Sequence, residues 1–115
     1  MHTMTRAARA YEVSSSHRSL REQEADVFRR ANGALRTARD QGMVERVRAV
    51  ADNRRLWMAM IDLLRHAANA LPEDLRASMV SVGLAVQREM DRAAPDFEFL
   101  ISVNENIAAG LSGAP

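Results

Sequence analysis

Apolar side chains recur along this chain at three- and four-residue intervals, which is the rhythm of an amphipathic helix and not of a strand. Ala7, Ala8 and Tyr11 sit at that spacing, and Ser14, Ser15, Ser16 and His17 then interrupt it. This predicts a short N-terminal helical arm over residues 1–18 that ends in a polar hinge. From Ser19 the pattern is stronger. Ser19 with Glu22 has the spacing of a capping box, in which each side chain satisfies an early backbone N–H. Leu20, Val27, Phe28, Ala31, Ala34, Leu35 and Ala38 then share one face. The prediction is a helix over 19–41, with Gly42 as the glycine just past its end.

A second helix is predicted over 43–68, with Val47, Val50, Ala51, Trp57, Met58, Ile61 and Leu64 on one stripe. Arg54 falls at the centre of that stripe. A buried guanidinium needs a carboxylate or backbone carbonyls beside it. Alternatively the helix restarts near Asp52 and Asn53, both good N-cap residues. The favoured reading is one bent helix.

A third helix is predicted over 72–93. Pro72 suits the first helical position, and Glu73 and Asp74 suit the positive end of the helix dipole. Leu75, Met79, Val82, Val86 and Met90 form its stripe, which Val80, Gly83 and Leu84 widen. Gly83 carries a helix-propensity cost of ~1 kcal/mol, which a close approach of another backbone would explain. Pro95 ends this helix and opens the last one, with Asp96 and Glu98 in its first turn. Phe97, Leu100, Ile101, Ile107, Ala108 and Leu111 lie on one side of it. Asn104 lies within that stripe, so its amide is expected to bond a neighbouring helix. Residues 19–112 read as a single all-α domain: a small bundle of four main helices, preceded by the short arm.

Composition supports this. Ala, Leu, Val and Met supply most of the apolar side chains, and the only aromatics are Tyr11, Phe28, Trp57, Phe97 and Phe99. A chain of 115 residues buries a core without covalent staples. The absence of Cys excludes disulfides and thiolate metal sites. Arg6 and Arg9 precede Tyr11, Glu12 and Ser14, where a signal peptide would need an apolar run. No run approaches the ~18 apolar residues of a membrane span. The expected location is cytoplasmic, with no membrane partner.

All 16 basic residues are Arg, and they are unevenly placed. Residues 1–57 hold 12 Arg against seven acids, a net of +5, and residues 58–115 hold four Arg against eight acids, a net of −4. Two readings follow: one part of the bundle pairs with the other, or a basic surface meets an acidic partner or RNA. Arg21, Arg29, Arg36 and Arg39 cluster in a stripe beside the apolar face of the first main helix.

No catalytic constellation is present in the sequence. His2, His17 and His66 are scattered, and position 70, one turn beyond His66, is Ala70. Glu22 with Asp26, and Asp96 with Glu98, sit at helix starts, where carboxylates offset the dipole. There is no phosphate-binding glycine loop and no nucleophile with a histidine at recognisable spacing. The expectation is a binding protein with no enzyme activity, no cofactor and no metal. The surplus of apolar residues over Leu56–Leu64, opposite a similar surplus over Met79–Val86, suits either a tight core or a groove for a partner's amphipathic helix.

Several blocks resemble one family when taken in order. Asn53, Arg54, Arg55, Leu56 and Trp57 are similar to the signature of the FlaF family of flagellin-biosynthesis regulators. Leu71 and Pro72, then Leu75, Arg76, Ala77, Ser78 and Ser81, resemble its second block. Asp96, Phe97, Glu98, Leu100, Ile101, Asn104, Ile107, Gly110 and Leu111 resemble its C-terminal block, and residues 21–28 match its first helix more loosely. The resemblance covers about residues 19–111. It implies a role in flagellum biogenesis in alphaproteobacteria: control of flagellin synthesis or export, in concert with FlbT. The physical form preferred for this role is a cytoplasmic chaperone that binds flagellin, whose terminal segments are amphipathic helices that pack only in the filament. The alternatives are an RNA-linked translational regulator of flagellin mRNA and a structural subunit of a flagellar assembly complex. Arg54, Arg55, Leu56, Trp57, Met60, Leu63 and Asn104 are the candidate partner-binding residues.

Overall fold

The computed structural model describes the backbone over residues 5–66 and 68–113, and the side chains of 5–6, 22–66 and 68–113. Four helices account for most of it: α1 (Arg6–Arg39), α2 (Met43–Arg65), α3 (Glu73–Met90) and α4 (Phe97–Leu111). Among the described residues there is no strand. The expected all-α bundle is therefore the observed architecture.

α1 corrects the first boundary. Its backbone runs as one helix through Ser14–His17, so the arm and the first main helix are continuous and Ser19 does not start a helix. Extending a helix adds one hydrogen bond per residue fixed, whereas a restart repeats the costly nucleation step. Three serines, each a few tenths of a kcal/mol below Ala, do not offset that difference. The side chains of the proposed Ser19 cap, of Leu20 and of Arg21 lie outside the described residues. At 1.5 Å per residue α1 is about 51 Å long, against about 22 Å for α4.

α1 ends at Arg39, and Gly42 is the N-cap of α2 with extended backbone (φ −75°, ψ 176°). Gly42 is thus not the left-handed glycine expected after α1. The short Asp40–Gly42 connection makes α1 and α2 a helical hairpin. α2 is continuous through Asp52 and Asn53, with no restart.

The phase of α2 differs from the expected one. Ala49, Val50, Asn53, Trp57, Ile61 and Leu64 are its buried residues. Asn53, not Arg54, occupies the centre of the stripe. Val47 and Met58, both assigned to the core from the sequence, are 62% and 51% exposed.

α3 packs antiparallel on α2. Asn53 and Arg54 meet Met90 and Asp91, Ile61 lies against Gly83, and Arg76 reaches the carbonyls of Leu64 and His66. Pro72 is the N-cap (φ −54°, ψ 142°) and not the first helical residue. Gly83 is required by packing: a Cβ there would stand 2.8 Å from Ile61 Cγ1 and 3.2 Å from Trp57 Cε3. The close approach that the sequence suggested is made by side chains, not by a backbone. Leu75, Val82 and Leu84 are exposed.

α4 starts at Phe97, so Asp96 is its N-cap and not a residue of its first turn. The Asp96 carboxylate accepts the backbone N–H of Phe99 at 3.1 Å. α4 packs antiparallel against α1, with Glu98 near its start bonded to Arg39 and Glu105 bonded to Arg36. α3 touches α4 only lightly, so α2 is the main support of α3.

The core gathers Phe28 and Leu35 from α1, Trp57 from α2, Val86 and Met90 from α3, and Phe97 and Leu100 from α4. Burial of each large side chain contributes about 1.5–3 kcal/mol. Phe28 meets Trp57 edge to face, with ring centroids 5.6 Å apart. At the other end of α2, Arg46 lies over the Phe97 ring at 4.9 Å. Asn32, in phase with Phe28 and Leu35, is also buried and donates its amide to Ile101 O at 3.0 Å. No helix among the described residues is long and apolar enough to cross a membrane.

Candidate partner-binding surface

The seven residues singled out from the sequence do not form one surface. Trp57 and Asn104 are fully buried and bonded to each other. Leu56 and Met60 are half-buried and packed against the core. Arg54 is partly covered, Arg55 is exposed, and Leu63 is 61% exposed.

Trp57 and Asn104 belong to a polar relay that crosses the core. The Trp57 indole N–H donates to Asn104 Oδ1 at 2.9 Å. Asn104 Nδ2 donates to Asn53 Oδ1 at 2.7 Å, and Asn53 Nδ2 points to the Met90 sulfur at 3.4 Å. Three helices are joined through amides that have almost no contact with water. In an apolar interior an unpaired amide costs several kcal/mol, and here each amide finds a partner. Asn104 thus behaves as its sequence position required. Asn53, a cap residue only in the alternative of a helix restart, is a core residue, a role that the sequence reading does not assign to it. The available signal was its spacing four residues before Trp57.

Arg54 resolves the problem seen in the sequence by leaning off the core face. Its guanidinium bonds Asp91 Oδ1 at 2.5 Å and the Met90 carbonyl at 3.1 Å. It thereby satisfies an end carbonyl of α3 and sits at the negative end of that helix dipole. Arg76 does the same for α2, donating to Leu64 O and His66 O at 3.4 and 3.3 Å, while Asn69 donates to Leu63 O at 2.9 Å. Among the described residues Arg55 has only Asp52, at 3.4 Å on its own helix, as an ion-pair partner.

The Arg stripe of α1 is largely engaged within the molecule. Arg29 pairs with Asp26 at 2.9 Å, Arg36 bonds Glu105 and Arg39 bonds Glu98. Arg36, Arg39 and Arg54 each tie the basic part of the chain to an acid of the remainder, as the intramolecular reading of the charge asymmetry expects. Each pair is solvated and contributes at most about 1 kcal/mol.

Among the described residues, the most exposed large apolar side chains lie on α2. Met43, Val44, Val47 and Met58 are all more than half exposed, with Met43 at 80%. A cavity of about 230 Å³ between α1 and α4 is lined by Arg29, Asn32, Arg36, Glu105, Ala108, Ala109 and Ser112, away from all seven predicted residues. Among the described residues no three His, Cys, Asp or Glu side chains come together to hold a metal.

The family described as Flagellar protein FlaF matches residues 7–111, and the chain belongs to it. That match begins closer to the N-terminus than the sequence blocks that suggested it. No curated protein and no solved structure matches the chain.

Proposed function

We propose that this FlaF-family protein is a flagellum-biogenesis factor that binds flagellin in the cytoplasm before export, and that flagellin synthesis is regulated through its occupancy. The observation that carries the reading is the row of exposed apolar side chains on α2 in a chain of a flagellar family. Unassembled flagellin presents amphipathic terminal helices with uncovered apolar stripes. An exposed apolar helix face covers such a stripe by helix-to-helix packing, without any catalytic group. Val44, Val47 and Met58 supply the non-directional apolar contacts that this packing uses, and the unbranched Met58 side chain adapts to the partner's shape.

The RNA reading draws less support, because Arg29, Arg36 and Arg39 already face carboxylates. Contact with FlbT is part of the proposal as the step that passes occupancy on to translation. The test is co-purification of the protein with flagellin and with flagellin lacking its terminal helices. Retention of full-length flagellin alone is expected. Failure to retain either would refute the reading.

A further inference from the structure

The geometry points to the outward face of α2 as the docking surface, and to an amphipathic helix with acidic flanks as its occupant. This inference rests on the helix-binding reading above and adds where the partner sits and what charge it carries. At 100° per residue Val44, Val47, Ala51 and Met58 fall within an arc of about 60°. Their spacing of three, four and seven residues is that of one seam of a coiled coil. The row is about 21 Å long, which is four helical turns. Val44, Val47 and Met58 are 65%, 62% and 51% exposed.

Charge decides the occupant. Arg48 and Arg55 border the row on one side and Arg54 on the other, with Arg65 at its end. Asp62 is the one acid within that band of α2. Arg48 and Arg65 have no ion-pair partner among the described residues, and Arg55 has only the 3.4 Å contact with Asp52. In a helical pair, side chains flanking an apolar seam select their partner by opposite charge. Arg54 is already held by Asp91 and the Met90 carbonyl. It is therefore carboxylates on the Arg48 and Arg55 side of the incoming seam, and at its Arg65 end, that meet open guanidiniums, whereas a basic helix is repelled. The signature therefore divides its labour: Asn53 and Trp57 build the core, and Arg55 borders the seam outside it.

The probes are two stapled 18-residue helices with leucine at the two seam positions of each heptad. One carries Glu and the other Lys at the flanking positions. Fluorescence anisotropy with the full chain is expected to show at least tenfold tighter binding of the Glu helix. A Val47→Glu, Met58→Glu variant should lose at least tenfold. Equal binding of both helices, or an unchanged variant, overturns the assignment. If that variant fails to fold by circular dichroism, Arg48→Glu with Arg55→Glu provides the same test by reversing the preference. Sedimentation equilibrium covers the remaining occupant: a dimer that the Val47→Glu, Met58→Glu variant dissolves assigns the face to a second copy and overturns the proposal. Flagellin co-purification separates the two claims. A folded variant that still retains flagellin sinks the surface and leaves the flagellin reading standing. A wild-type chain that binds the Glu helix but no flagellin supports the surface and sinks the flagellin reading.

Discussion

Trp57 donates its indole N–H to Asn104 Oδ1 at 2.9 Å, so that α2 and α4 are joined by a hydrogen bond inside the core. The bond also holds the Asn104 amide in the orientation that donates to Asn53. Replacing Asn104 with Leu strands the Trp57 N–H and Asn53 Oδ1 in an apolar interior. A loss of about 2–6 kcal/mol is expected, since each of the two orphaned groups costs about 1–3 kcal/mol. Urea unfolding followed by fluorescence measures it cleanly, because Trp57 is the one tryptophan in the chain.

Gly83→Ala opposes two effects of similar size. Helix propensity gains about 1 kcal/mol. The new methyl overlaps Ile61 Cγ1 and Cδ1, at 2.8 and 2.9 Å, and such overpacking costs about 1–3 kcal/mol. Net destabilisation is expected. In an Ile61→Val background, which removes Cδ1, the same Gly83→Ala change should cost less. A double-mutant cycle in denaturant that shows simple additivity would contradict this packing account.

Arg54 and Asp91 form a partly solvated pair at the end of α3, supported by the Met90 carbonyl. Arg54→Ala should destabilise by about 1 kcal/mol. The coupling to Asp91→Ala should shrink as salt rises from 0.05 to 0.5 M (roughly the range over which screening tightens). Lys at position 54 should restore only part of the loss, because one ammonium does not reproduce the two-pronged contact.

Removing the Asp96 cap tests the start of α4. Asp96→Ala is expected to cost about 1 kcal/mol, while Asp96→Asn should nearly preserve stability. Thermal unfolding of the two variants distinguishes capping from a general effect of charge.

These residues also mark how far the sequence could be read. Four helices were legible because each repeats its apolar positions over three or more turns. The bonding need of Asn104 was legible because a buried amide must be paired. The neighbourhood of the α4 start was legible from Pro95 and its acids, while the capping role of Asp96 depends on its extended backbone. The phase of α2 was not. Asn53 and Arg54 are adjacent on the helix and both fall near its apolar stripe. The deciding facts, an amide from α4 at 2.7 Å and a carboxylate at the end of α3, are tertiary. Val47 and Met58 were assigned to the core for the same reason, since apolar residues of an interface and of an interior have one pattern. The continuity of α1 through Ser14–His17 was hidden because composition marks a weak point in a helix without deciding whether the helix breaks there.

Calorimetric titration of monomeric flagellin into the purified protein tests the central claim most directly. The account predicts saturable binding with a negative heat-capacity change, as burial of apolar surface requires, and a modest dependence on salt. No binding, or binding that weakens steeply with salt in the manner of phosphate contacts, would contradict it.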